Sequence, residues 1–374
     1  MKVMLLLIDK YKTDKFDKYN CTYFPVSYNM SSNVIIPLKN VVKNLRTINF
    51  HQMHGEFGVE ALNHCIIKNA KNFKPDYIIW TSSMYEIFPS TFKKLKKMGI
   101  PVIGWFYDDH TRFDNWGKFW LPYLSYAVTN DSQSIEKYKR LGVSPLLSFC
   151  GAQQEEYKKI ELPKLYDVSF VGANISDRRE YISFLEQNGI KVKVVGKGWA
   201  NSGFVDFDDM INIYNQSKIN LNFTGAIGNS QIKQLKGRIF EIAVTGNFLL
   251  TEYAPSLEVC YEQEKSIVWF KTKEELLEKI KFYLDNEDKR ILIEKNMQKK
   301  TLEEHTNEAR LKKLFYELEN KKPIKKVKLN NKEIKKFKKS LFHYNWLCLK
   351  ERFKIKEYKI FLSDLFYILN PLNY

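Results

Sequence analysis

The sequence predicts an α/β protein with two successive parallel-sheet domains and a basic, aromatic C-terminal segment. Three observations carry this. Short apolar runs alternate with amphipathic helical spacings, and several of the helices close on a glycine before the next run begins. The alternation pauses over "GAQQEEYKKIELPKLY", residues 151–166, and then restarts. At 374 residues the chain is also longer than one comfortable hydrophobic core. The expected divisions are 1–160, 161–320 and a tail from 321 to 374.

In chain order, "KVMLLLI" reads as a first buried strand. "FGVEALNHCIIKNAKNF" has helical spacing at Phe57, Leu62, Cys65, Ile66 and Ala70, and leads into the strand "YIIWTS". "STFKKLKKMG" is a short helix stopped at Gly99, followed by the strand "IPVIGWFYDD". "LSYAVTND" and "SQSIEKYKRLG" repeat the pattern, with the stop at Gly142. After the pause come the strand "DVSFVGA", the helix "DRREYISFLEQNG" and the strand "IKVKVVG". "DFDDMINIYNQS" reads as a helix and "KINLNFT" as a strand. A helix through 234–245 stops at Gly246, and "NFLLTE" returns as a strand. Two amphipathic helices, beginning near Thr272 and Asp288, follow, the second running towards "NEARLKKLFYELEN".

Composition narrows the class. Hydrophobic residues make up 44% and aromatics 15% of the chain, enough for packed cores. The apolar run from Val3 to Ile8 is too short for a signal-peptide core or a membrane span. Cys21, Cys65, Cys150, Cys260 and Cys348 are widely spaced without a CxxC pair, which fits a reducing cytoplasm and argues against structural zinc. The net charge of +17 is uneven: residues 321–374 hold 15 Lys/Arg against 4 Asp/Glu, so the tail alone accounts for +11.

In a doubly wound sheet, ligands gather beyond the carboxyl ends of strands. "VSFVGANISDRRE" places Gly172 in such a turn, with Arg178 and Arg179 at a helix start. A close backbone approach and guanidinium groups suit a phosphate, although neither GxGxxG nor GxxxxGK[ST] is present. The alternative is a solvated helix start. "VVGKGW" sets Lys197 between two glycines after another strand, a ligand contact or an exposed turn lysine. "WFYDDHTRFDNW" follows a buried strand with Asp108, Asp109 and His110, any of which could act as a general base on an acceptor hydroxyl. The bland reading is one capping and one solvated carboxylate. "DFDD" formally matches a D-x-D metal motif, but an N-cap by Asp206 is the simpler reading, and no metal is assigned. Gln234, Arg238, Glu241 and Thr245 share a helical face, either as a surface ion pair or as a ligand face.

The segments "YDVSFVGANISDRREYISFLEQNGIKVKVVGKGW" and "QLKGRIFEIAVTGNFLLTEYAPSLEVCYE", continuing to "EEHTNEAR", resemble the second domain of GT-B glycosyltransferases. They are most similar to the bacterial spore-maturation-like group, and "IPVIGWFYDDH" with "YAVTNDSQSIEKYKRLGV" is similar to that group's first domain. The resemblance spans roughly residues 75–315 and implies two Rossmann-like domains facing a cleft. It further implies a nucleoside-diphosphate sugar on the second domain, an acceptor on the first, and no cofactor or catalytic metal. Glu241 matches the glutamate that holds the donor's ribose, while Lys236, Arg238 and Arg178 match basic residues near the diphosphate. Retaining relatives carry an E-x7-E pair, but Lys233 stands at the position eight before Glu241, which leaves stereochemistry open.

The resemblance thus implies transfer of a sugar to a surface glycan or glycolipid. A sugar-nucleotide epimerase or hydrolase on the same fold is the alternative enzyme class, and a nucleic-acid or glycan-binding scaffold is the non-enzymatic one. Asp109 is the first choice as base, with Asp108 and His110 as alternates. The tail interleaves lysines with ten aromatics, so it either meets an anionic membrane surface or packs back on the domains. Membrane association on the inner face of the plasma membrane ranks first, and nucleic acid ranks below it.

Overall fold

The computed structural model describes residues 1–8, 31–81, 85–200, 203, 205–226 and 228–370. Ser82, the last residue of the expected strand "YIIWTS", and residues 371–374 of the tail lie outside them. The chain divides into two compact units, Met1–Ser148 with Leu314–Tyr374, and Phe149–Lys313. The first boundary falls earlier than residue 160, and the tail is part of the first unit.

In the first unit, β1 (Lys2–Leu7), β2 (Asn44–Asn49), β3 (Tyr77–Thr81), β4 (Val102–Phe106), β5 (Tyr126–Thr129) and β6 (Leu146–Leu147) form one parallel sheet. The strand order is β2-β1-β3-β4-β5-β6. Parallel strands covered on both faces read as continuous apolar runs, which is why "VMLLL" and "VIGWF" are buried throughout. Crossovers include α1 (Ile36–Val41), α2 (Phe50–Phe73), α3 (Pro89–Lys97) and α5 (Ile135–Arg140), and α4 (Asp109–Arg112) is a single turn after β4. α2 starts seven residues before the expected Phe57 and breaks at Gly58, whose φ of +95° lies outside helical space. Trp80, Phe92, Phe106, Trp116 and Trp120 are buried together at the centre of the core.

The second unit has β7 (Tyr166–Val171), α6 (Arg178–Gln187), β8 (Val192–Val195), α7 (Phe207–Gln216) and β9 (Ser217–Asn222). A small antiparallel hairpin, β10 (Gly225–Ala226) and β11 (Asn229–Lys233), precedes α8 (Gly237–Thr245). β12 (Leu249–Glu252), α9 (Leu257–Cys260), β13 (Val268–Phe270), α10 (Lys273–Asp285) and α11 (Glu287–Glu304) follow, and α12 (Asn307–Glu319) carries the chain back to the first unit. The main sheet is again wholly parallel, in the order β13-β12-β9-β7-β8. Gly246 ends α8 at φ +72°, and a Cβ there would meet Gln298 at 2.8 Å.

The tail forms α13 (Asn331–Lys354) and α14 (Tyr358–Leu369). Asn330 and Glu333 close a reciprocal capping box at the start of α13. Phe337 and Leu341 enter the main core of the first unit, while Leu349, Tyr367 and Ile368 pack with Val59 and Phe88. Arg352, 1% exposed, donates to the carbonyls of His54 and Gly55 and pairs with Glu357 at 2.8 Å and Asp364 at 3.2 Å. Among the described residues no helix is long and apolar enough to cross a membrane.

Candidate functional site

The second unit's strand order places its switch point between β7 and β9, where the crossovers leave in opposite directions. β7 opens into Gly172, whose N–H donates to the Val195 carbonyl at 2.7 Å and whose carbonyl accepts from Trp199 Nε1 at 2.8 Å. Gly196, at φ +137°, lies so close that a Cβ would stand 2.4 Å from the Gly172 carbonyl. Glycine is therefore required at position 196.

Two guanidinium groups converge over Gly172. A Cβ at that position would lie 2.8 Å from Arg238 Nη1 and 3.4 Å from Arg178 Nη1, so the two nitrogens are within about 6 Å of each other. Arg178 is 5% exposed and donates to the Ala173 carbonyl at 2.8 Å. Burial, and then Arg238, pull its pKa down to about 10, which leaves it cationic at neutral pH. The Nε atoms of both arginines and Oδ1 of Asp177 are buried without a hydrogen-bond partner. At ~6 Å and an effective dielectric constant of about 20, the repulsion between the arginines is ~3 kcal/mol. An anion lying between them would relieve it and supply acceptors.

Beside the pair runs an ionic chain. Lys233, at the end of β11, forms an ion pair with Glu252 and reaches Asp177 at 3.7 Å. Glu252, 2% exposed at the end of β12, accepts from the Thr224 backbone at 2.8 Å and from its hydroxyl at 3.0 Å. Asp177, Thr224 and Glu252 were not singled out from the sequence. The signal existed for Glu252 and Thr224, since both end apolar runs at the carboxyl edge of the sheet.

Glu241 is half-buried on α8. Burial pushes its pKa up, opposed by Arg238 and by a hydrogen bond from Tyr157. Arg238 also lies near Tyr214, whose pKa burial pushes up to about 12 against the lowering effect of the guanidinium. Burial alone would lower Arg238, but Tyr214, Glu241 and Tyr157 together carry its pKa above the usual value. The expected four-residue stripe is shorter than its spacing implied. α8 begins at Gly237, so Gln234 precedes the helix, and Thr245 is fully buried with its hydroxyl on the Ile242 carbonyl.

The remaining expected residues fall elsewhere. Lys236 is the extended N-cap of α8, and its ammonium bonds Gln234. Lys197 is exposed between two positive-φ glycines, and its carbonyl accepts from the Asn174 N–H at 2.8 Å. Asp206 caps α7 by accepting from the Asp209 N–H at 2.8 Å, as expected.

In the first unit, β4 ends immediately before the acidic pair. Asp108 adopts a left-handed backbone at φ +57° and is exposed, with its carbonyl closing the α4 turn onto Thr111 and Arg112. That kink turns Asp109 inward, where it is 1% exposed. Its Oδ2 accepts from the Thr129 hydroxyl at 2.6 Å and the Tyr138 hydroxyl at 2.7 Å, while Oδ1 is buried without a partner. Burial raises the Asp109 pKa to about 6, against the lowering effect of the two hydroxyls. His110 is half-buried, and Arg112 lies over the Trp116 ring at 4.6 Å.

Two successive doubly wound parallel-sheet units are the GT-B fold. Residues 178–315 match the model of the family described as glycosyl transferase-like. A glycosyltransferase from Rickettsia africae is similar in structure with a TM-score of 0.60 and 10% identity, over 85% of this chain and 98% of that one. HepE from Anabaena, in complex with UDP and glucose, is similar with a TM-score of 0.56 and 13% identity, over 86% of this chain and 100% of that one. Sucrose-phosphate synthase from Thermosynechococcus elongatus has a TM-score of 0.52 and 10% identity, over 86% and 99%. No curated protein matches the chain. The resemblance read from the sequence therefore holds for the GT-B class, and these matches do not single out the spore-maturation-like group.

Proposed function

We propose that this chain transfers a hexose from a nucleoside-diphosphate sugar to a hydroxyl of a surface glycan or glycolipid, with arginine rather than a metal ion neutralising the leaving diphosphate. The observation that carries the reading is the convergence of Arg178 and Arg238 over Gly172, both arginines lying inside the segment that matches the glycosyl transferase-like model. The complex of HepE with UDP and glucose supports a donor of this class.

Breaking the sugar–phosphate bond develops negative charge on the diphosphate and positive charge at the anomeric carbon. Two fixed guanidinium groups with unspent N–H donors stabilise the former as it forms, with little reorganisation. Glu241 would take the ribose hydroxyls, and Lys236 at the N-cap of α8 adds a further positive charge nearby. Lys197 would serve at the rim of the donor site. On the acceptor side, a base must be reachable by the incoming hydroxyl. Asp108 is exposed, whereas Asp109 is 1% exposed with Oδ2 committed to two hydroxyls, so Asp108 is the favoured base, with His110 next.

A thermal-shift series with UDP, ADP, GDP, dTDP and their glucose conjugates tests the reading. A true donor at about 100 times its Kd should add ~2.7 kcal/mol of stability. Arg178→Gln and Arg238→Gln should each weaken that ligand by roughly tenfold to a hundredfold, the range for a hydrogen bond to a charged group. Glu241→Ala should also weaken it, whereas Asp108→Asn should spare binding and lower turnover. Absence of stabilisation by every nucleotide at saturation would remove the transferase reading.

A further inference from the structure

The C-terminal helices bury one face against the first unit and leave an apolar face open. On α14, Tyr358, Leu362, Phe366 and Leu369 are 50%, 52%, 73% and 54% exposed. Their spacing of four, four and three residues puts them on a single face. Phe353, 55% exposed at the end of α13, joins the stripe through ring contacts with Tyr358 at 5.6 Å and Phe361 at 5.2 Å. The opposite face of α14 is buried through Asp364, Tyr367 and Ile368. A helix apolar on both faces is fitted for two environments, and packing on the protein accounts for only one.

The charges around the stripe identify the second environment. All four tail carboxylates are taken by cations: Glu333 by Lys118, Glu351 by Lys354, and Glu357 and Asp364 by Arg352. Lys350, Lys356 and Lys359 are exposed around the stripe and have no carboxylate partner among the described residues. The turn presenting them is rigid. Glu357 N–H donates to the Arg352 carbonyl at 3.0 Å and Lys356 N–H to the Phe353 carbonyl at 3.1 Å, the paired bonds of a Schellman closure. At 1.5 Å per residue, the 12-residue α14 is about 18 Å long, well short of a ~30 Å hydrocarbon core. It can lie in the headgroup region but cannot span.

We infer that the Phe353–Leu369 face docks the first unit onto an anionic lipid surface, with Leu362 and Phe366 entering the acyl boundary and Lys350, Lys356 and Lys359 meeting lipid phosphates. Aromatic and aliphatic side chains rimmed by lysine, with no acid left open, are the complement of such a surface. A protein partner or a second copy of the chain would cover the apolar stripe, but neither would require the surrounding lysines.

The test is co-sedimentation of the full chain with vesicles containing roughly one-third phosphatidylglycerol, against vesicles of phosphatidylcholine alone. Binding should be confined to the anionic vesicles and fall steeply with added salt. Replacing Lys350, Lys356 and Lys359 by Gln should weaken it on the order of a hundredfold, the effect of three surface charges. Leu362→Ser with Phe366→Ser should weaken it at least tenfold while the unfolding transition stays in place, because both side chains already face solvent. Equal binding to both vesicle types, or binding indifferent to either variant, overturns the proposal. Dimerisation abolished by the Leu362/Phe366 variant, without vesicle binding, assigns the face to a second copy instead. No sugar donor is present in the assay, so its failure leaves the transferase reading intact.

Discussion

Asp109 offers a quantitative check on the interior of the first unit. In the unfolded chain its carboxyl should titrate at the ordinary 3.8, whereas in the fold burial holds it near 6. A folded pKa above the unfolded one means that the native state prefers the proton. The group's contribution to stability is therefore fully present below about pH 4 and is lost as pH rises through about 6. The interval corresponds to ~3 kcal/mol. Asp109→Asn keeps the shape and removes the titration. Its amide faces the same partnerless position as Oδ1, which adds a cost of ~1–3 kcal/mol that does not depend on pH. Other carboxylates titrate alike in both proteins, so the difference between them isolates Asp109. Urea unfolding from pH 4 to pH 8, followed by tryptophan fluorescence, should show the wild type losing ~2 kcal/mol relative to the variant, the rest of the interval lying below pH 4. Trp80, Trp105, Trp116, Trp120 and Trp346 report on this unit, against Trp199 and Trp269 in the other. A gap that is flat in pH, or that widens in favour of the wild type towards pH 8, would refute the buried-carboxyl account.

Gly58→Ala should cost ~2–4 kcal/mol, because a Cβ at φ +95° would stand 2.6 Å from Asp364 Oδ1, and denaturant titration would measure it. Arg352→Met should cost ~3–5 kcal/mol by stranding the buried Asp364, and adding Asp364→Leu should recover most of that loss. A double variant no better than the single would show that the two groups do not act as a pair.

The fold was legible because buried parallel strands need unbroken apolar runs, and runs such as "VMLLL", "VIGWF" and "FLLTE" survive any choice of surface residue. What escaped has identifiable causes. The β10–β11 hairpin lies in "GAIGNSQIK", which has no alternation to betray it. Pairing there depends on local bonds such as the Gln234 N–H to the Thr224 carbonyl at 3.0 Å. The packing of α13 was hidden by its lysines, although Phe337, Leu341, Asn345, Leu349 and Arg352 recur at helical spacing and are all buried. Asp108 and Asp109 could not be told apart because they are adjacent after one strand. Only the left-handed turn at Asp108 decides which carboxylate enters the core.

Lys233 shows how far a local motif can mislead about charge. In the sequence it stands where relatives with the E-x7-E pair have a glutamate, as though a positive group had replaced a negative one beside the donor. In the fold its ammonium is held by Glu252 and approaches Asp177, two acids contributed by other elements. Glu252 brings a carboxylate to the same cluster from β12, through a contact that eight-residue spacing cannot encode. Because Lys233 occupies these acids, less of their charge is available to offset Arg178 and Arg238, and the guanidinium pair keeps a stronger positive field. The substitution is thus balanced inside the site. The carboxylate beside Lys233 comes from another strand, β12, and is already committed to Thr224 and Lys233.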